Sequence, residues 1–435
     1  MCMMLSVMKT IVLTSHKNFA WTSMQEIIPF IEGLWCETSC LEHEVELINI
    51  DDSSVMKNLS ALINADNIVM TCFTVELSLG VSALREKLGL NFRLFFYVHG
   101  MATIGYWPLL KYKLGAFLCS HDVFVVTCEG DKKITNKVLP QVQVYKHPFL
   151  NERNSKIKLC DQIEELTYIG RVSEQKNLHL LIQACAEIKN ELEERNIKLS
   201  IFGEEDFLGS PNMGKISGPY LDYCKRLVSM HKLEGLVTFK GHVTREILDE
   251  YLATKCVLYI SPSLHSDENF GMSPYNILKK GGRCLLTPWG GFAEFKKHFN
   301  DQVSYFNIFK SELGPILSPH DISDKILCSI EKFSDTKFEL PEYYCRKSLA
   351  KKIKKYILTN KMHTEEFISV DMVENILVRR ESFLSDSQDS KNQGAKIFEG
   401  YHDSLAHEFL YSYASSLSSK KDLLNPSDPR LSDYS

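Results

Sequence analysis

Several chemistries can be set aside from what this chain does not contain. No aspartate is followed two residues later by another, so the paired carboxylates with which many transferases hold a divalent ion are missing. There is no His-Glu-x-x-His run and no Cys-x-x-Cys pair, and no metal centre is expected. No window approaches the roughly 20 apolar residues of a membrane span. The opening stretch from Met1 to Leu13 lacks a basic lead and a small-residue cleavage site, and it reads as a lead into the first strand rather than a secretory signal. Neither sign of charge dominates: the net charge of −5 is too mild for nucleic acid to be the main partner. The 13 cysteines are odd in number and scattered, which suits free thiols in a reducing cytosol better than a disulfide framework.

What is present is a rhythm of apolar runs and helix-length stretches. With 435 residues, 44% of them hydrophobic, two or three globular domains are expected. Strands are predicted at 9–14, 44–50, 67–73, 93–99, 123–127 and 142–146. A helix is predicted at 23–34, where Ser23 and Glu26 have capping-box spacing. Residues 151–163 are polar and read as a linker. The rhythm then restarts, with strands predicted at 166–170, 199–203, 237–241, 256–260, 284–287 and 302–306. Such alternation argues for parallel sheets covered by helices. The expected architecture is α/β: two doubly wound domains, residues 1–150 and 164–335, facing a cleft. A helical segment follows at 336–384, strongly basic over 346–361. Residues 385–435 are expected to hold a flexible linker at 385–396, one more helix at 398–417 and a disordered tail.

Chemistry concentrates at residues 256–294. An apolar run, 256–260, is followed by a polar loop, then Glu268-Asn269-Phe270-Gly271-Met272. Ser273 and Pro274 are suited to the N-cap and first position of a helix. That helix should end at Gly281-Gly282, before the next strand. Ligands of open parallel sheets bind beyond the carboxyl ends of the strands, and a helix start there offers unpaired N–H groups to a phosphate. Glu268 can accept hydrogen bonds from hydroxyls. A phosphate at one end and a polyol at the other describe a nucleotide-sugar.

This stretch resembles the donor-site signature of the retaining glycosyltransferases of family four, which have the GT-B fold of two Rossmann-like domains. Glu268, Phe270-Gly271, Gly281-Gly282, Gly290-Gly291 and Glu294 match the family's pattern, and Asn276 stands where it has a second Glu. The resemblance extends to Gly170-Arg171 and, five residues after the arginine, Lys176. It implies that Arg171 and Lys176 bind the donor diphosphate, that Glu268 holds a hydroxyl of the transferred sugar, and that Phe270, Gly271, Met272 and Ser273 offer backbone N–H groups. It places Asn276 at the ribose, Gly203 at a turn against the nucleotide with Glu204 replacing a second glycine, and the 237–243 strand end near the base. For each there is a plainer alternative: Asn276 as a helix cap, 203–204 as an ordinary turn, Glu268 as an exposed loop acid.

In the first domain, His99-Gly100 closes an apolar strand. The resemblance implies that His99 faces the reacting sugar; a strand-end histidine can equally be structural. Where the family usually has a glycine-rich loop near the acceptor, this chain has Thr14-Ser15-His16-Lys17-Asn18. Trp107 and Tyr112 are candidates for an acceptor groove or for ordinary packing. The basic stretch 346–361 is either a membrane-surface helix or the helix by which such chains cross back onto the first domain, its lysines solvated.

The expectation is a cytoplasmic, metal-independent hexosyltransferase that retains anomeric configuration. It would use a UDP- or GDP-linked sugar as substrate, need no cofactor, and act on a glycan, lipid-linked or other hydroxyl acceptor. His99 and Glu268 are its expected catalytic residues. Two alternatives stay open: a non-catalytic GT-B module that binds a nucleotide-sugar or glycan, and a related phosphorylase using a sugar phosphate.

Overall fold

The computed structural model describes residues 7–16, 23–51, 58–71, 75–100, 118–140, 142–151, 156–159, 162–205, 219–265, 268–311, 314–331, 339–359 and 411–418. Trp107, Tyr112, Lys17, Asn18, the 385–396 linker, most of the 398–417 helix and the last sixteen residues lie outside them. The chain divides into two compact units, Met1–Arg153 with Pro341–Asp386, and Asn154–Leu340 with Ser387–Ser435.

The first unit holds a six-stranded parallel sheet made of β1 (Met8–Thr14), β2 (His43–Asn49), β3 (Asn67–Met70), β4 (Arg93–Tyr97), β5 (Val123–Val126) and β6 (Gln143–Lys146). Its order is β2-β1-β3-β4-β5-β6. Strands β3, β4 and β5 are buried along their whole length. This is why they read as continuous apolar runs rather than alternating ones. The amino ends of β4 and β5 are fixed by a buried fork: Arg85 reaches Asp122 through two bonds of 2.7 and 2.8 Å, and Asp122 also accepts from the backbone N–H groups of Leu94 and Cys119. The helix Arg346–Thr359 belongs to this unit. It buries Leu349, Ala350, Ile353 and Ile357, pairs Arg346 with Glu37 at 2.8 Å, and leaves Lys351, Lys352 and Lys355 exposed.

The second unit repeats the plan with β7 (Glu165–Ile169), β8 (Lys198–Phe202), β9 (Val237–Gly241), β10 (Val257–Ser261), β11 (Arg283–Leu286) and β12 (Val303–Tyr305). All pairs are parallel, in the order β12-β11-β10-β7-β8-β9. Strand order reverses between β1 and β3 in the first sheet and between β7 and β10 in the second, and such reversals open a crevice at the carboxyl edge of a doubly wound sheet. A small antiparallel pair, β13 (Phe309–Ser311) and β14 (Gly314–Ile316), was not expected from the sequence.

All twelve predicted strands are present, with ends moved by up to three residues. Three local expectations are corrected. Ser23 precedes the helix Met24–Cys36, but its side chain makes no capping bond; the start is held by backbone bonds to the Ser23 carbonyl, and Glu26 instead accepts from Asn151. The helix predicted to be capped by Ser273 begins earlier, as Met272–Leu278 with Gly271 at its N-cap, so Asn276 lies a turn into the helix. Cys256 is disulfide-bonded, against the expectation of free thiols, while the nine other cysteines among the described residues form no disulfide.

Candidate functional site

The reversal between β7 and β10 assembles the predicted donor residues of the second unit. Strand β7 delivers Gly170-Arg171, and a single 3-10 turn, Glu174–Lys176, follows. Asn177 then takes the left-handed conformation (φ 54°), which Asn tolerates better than most residues, and starts the helix Leu178–Glu187. Its side chain does not cap that helix; it donates to the Pro262 carbonyl at 2.9 Å, while Leu264 N–H bonds the Gln175 carbonyl at 2.9 Å. The loops after β7 and β10 are thereby laced together.

That lacing sets the charged side chains. Lys176 Nζ donates to Glu268 Oε2 at 2.5 Å, and the Ser263 hydroxyl donates to the same oxygen at 2.7 Å. Both partners of the ion pair are largely sheltered from solvent, each with 12% side-chain exposure, so the contact is screened less than a surface pair. Arg171 donates to His265 Nε2 at 3.0 Å. This requires His265 to be neutral. Burial, with Lys176 and Arg171 close by, holds its pKa well below the usual histidine range. His265 and Ser263 were missed in the sequence because nothing in their spacing marks them; only the meeting of two loops gives them partners.

Gly203 ends β8 at φ 140°, where an added Cβ would lie 1.8 Å from the Gly170 carbonyl oxygen. The two strand ends therefore approach more closely than any side chain allows. Next to it, Glu204 serves through its backbone, accepting from Val172 N–H at 2.8 Å. The ring of Phe270 is buried against Tyr275 and Phe295, so only its backbone is available to a ligand. Met272, Ser273 and Asn276 are half-buried on the first turns of their helix.

His99 lies in the first unit, just past β4. Its Nε2–H donates to the Thr71 carbonyl at 2.8 Å, its ring lies 5.2 Å from that of Phe149, and burial lowers its pKa to about 4. Its Nδ1 is buried with no hydrogen-bond partner among the described residues. At the end of β1, Ser15 donates to Asp51 at 2.6 Å, and His16 pairs with Glu32 at 2.8 Å and bonds Asp51 through its backbone N–H at 2.5 Å. Side-chain hydrogen bonds thus occupy the position where the family that the chain resembles usually has a glycine-rich loop. No group of three metal-binding side chains occurs among the described residues.

Residues 152–307 match the family model of glycosyl transferases group 1. No relative among curated proteins matches the chain in sequence. Among solved structures the chain is similar to the Anabaena protein HepE in complex with UDP and glucose, at 13% identity over 86% of this chain and 99% of that one, with a TM-score of 0.50. It is likewise similar to HepE in complex with UDP, at 13% identity over 86% and 100%, with a TM-score of 0.50. A glycosyltransferase from Rickettsia africae also matches, at 13% identity over 88% and 100%, with a TM-score of 0.45. At such identity the likeness to HepE concerns the fold: two six-stranded parallel-sheet α/β domains in one chain, the GT-B fold of glycosyltransferases.

Proposed function

We propose that the chain is a nucleotide-sugar-dependent hexosyltransferase working with retention of anomeric configuration. The observation that supports it best is the meeting of Arg171, Lys176 and Glu268 at the β7–β10 crevice, with Lys176 2.5 Å from Glu268. Two cations there suit a diphosphate, and a carboxylate beside them suits the hydroxyls of the attached sugar. As the glycosidic bond breaks, negative charge grows on the diphosphate. Arg171 and Lys176, already fixed by His265 and Glu268, would stabilise it with little rearrangement. Glu268 would share its second oxygen with a sugar hydroxyl. In the first unit His99, neutral and with Nδ1 able to accept, would suit a sugar hydroxyl. The acceptor hydroxyl attacks on the face from which the diphosphate leaves, passing its proton to the donor phosphate, and no side chain acts as nucleophile.

UDP is the first nucleotide to test, since HepE binds it, and GDP the second. The reading includes a cytoplasmic enzyme that needs no metal, and a hydroxyl of a glycan or lipid-linked molecule as acceptor. Among the described residues no helix is long and apolar enough to cross a membrane. Contact with a lipid-linked acceptor would instead use the exposed lysines of Arg346–Thr359. The test is calorimetric titration and donor hydrolysis with a panel of nucleotide-sugars. Binding with no turnover, even with many acceptors, would leave a binding module; release of sugar only with inorganic phosphate would indicate a phosphorylase.

A further inference from the structure

We infer that residues 411–418 are part of the donor site, with Tyr413 as a positioning residue that holds the Trp289-Gly290-Gly291 turn against the Glu268 loop. This rests on the donor-site reading given above. The turn is gripped from two sides. On one, Gly291 N–H donates to the Glu268 carbonyl at 2.6 Å, and the Trp289 indole donates to the His265 carbonyl at 2.7 Å. On the other, Gly290 N–H donates to the Tyr413 carbonyl at 2.8 Å, and Ser415 N–H donates to the Pro288 carbonyl at 3.0 Å. Trp289 and Ala414 form an isolated antiparallel bridge.

Packing follows the same line. Trp289 is fully buried and Tyr413 is 2% exposed, their ring centroids 5.7 Å apart. Buried aromatic pairs of this kind contribute roughly 0.5–1.5 kcal/mol beyond their area. Gly290 has φ 53°, and a Cβ there would lie 2.2 Å from the Glu268 carbonyl oxygen and 2.6 Å from the Tyr413 ring. There is no slack between tail and loop. A second attachment keeps the segment in register: Ser418 N–H donates to the Ile308 carbonyl at 2.8 Å, and Lys310 lies 5.4 Å over the Tyr411 ring. The contacts run from Tyr413 through Gly290-Gly291 to Glu268, whose carboxylate meets Lys176. A tail more than a hundred residues downstream in sequence therefore sets where the sugar-binding acid stands.

The test uses the full chain carrying Tyr413→Ala, Tyr413→Leu or Tyr413→Phe. Readouts are hydrogen exchange at the Gly290 and Gly291 amides, calorimetric affinity for UDP and GDP, and donor KM and kcat. Tyr413→Ala should speed exchange at both amides and raise donor KM about tenfold with a smaller change in kcat. Tyr413→Phe should behave as wild type, and Tyr413→Leu, which retains apolar volume if the alanine variant does not fold, should fall between. Wild-type exchange and KM in Tyr413→Ala and Tyr413→Leu would overturn the proposal. So would faster exchange with unchanged nucleotide affinity and KM, since the tail would then be a fold element only. A wild-type chain that binds no nucleotide or nucleotide-sugar would overturn the donor-site reading itself, and this proposal with it.

Discussion

At the scale of single residues, the site turns on how few groups share one oxygen. Lys176 and Ser263 both donate to Glu268 Oε2. In the proposed reaction, replacing Lys176 by Ala would remove a fixed cation from the leaving diphosphate, and one preorganised contact of this kind is worth about 3 kcal/mol of transition-state stabilisation. We expect kcat of Lys176→Ala to fall by about 100-fold or more; an unchanged kcat in steady-state assays would remove Lys176 from the mechanism. Asn276→Glu is the converse experiment. If the helix Met272–Leu278 presents that position to the ribose, a carboxylate there should tighten donor binding, and calorimetry would register the gain. A loss would mean that Asn276 serves its helix alone. Arg171, Lys176 and Glu268 could be named in advance because they match a family's donor signature in order and spacing; as charged residues at loop positions alone, Arg171 and Lys176 would have meant little. Ser263, His265, Trp289 and Tyr413 could not be named, because each acquires its partner only when loops distant in sequence meet.

Secondary-structure elements were legible for a different reason. Strands such as β4, RLFFY, are buried on both faces, so a run of apolar residues announces them without any partner being known. Their ends were read less well, since the last residue of a strand is decided by hydrogen bonding across the sheet. Caps were read worst: Ser23 and Ser273 have good capping chemistry, yet Gly271 at φ 90° starts its helix and Ser23 contributes only its carbonyl. The Arg85–Asp122 fork offers a test at this scale. It joins the helix Val75–Leu88 to the amino ends of β4 and β5, with Arg85 4% exposed and Asp122 fully buried. Removing one partner leaves an unpaired buried charge, a loss of about 3–5 kcal/mol. Asp122→Ala should therefore lower the urea midpoint strongly, whereas a shift of a few tenths of a kcal/mol would mean that the pair is far wetter than its burial indicates.

Across the whole molecule, buried neutral histidines link stability to acidity. His99 and His147 are both held near a pKa of about 4 by burial. In the unfolded chain each returns to about 6.5. Between those values the unfolded state binds protons that the folded state does not. Stability therefore rises with pH through that window and is lost on acidification, by up to about 3 kcal/mol per histidine at its acid end. We expect the thermal midpoint to drop between pH 6.5 and 4.5, with a shallower slope in His147→Phe. A flat profile over that range would mean that these rings are solvated.

The tail contact also carries a message about biosynthesis. Residues 341–386 belong to the first unit, yet the chain returns to the second beyond them, and residues 411–418 cover Trp289. A ribosome emits Trp289 long before Tyr413 exists to shield it. The second unit must therefore wait, one indole bare, until residues 411–418 have been made. A clone truncated at residue 340 would carry that unfinished state permanently.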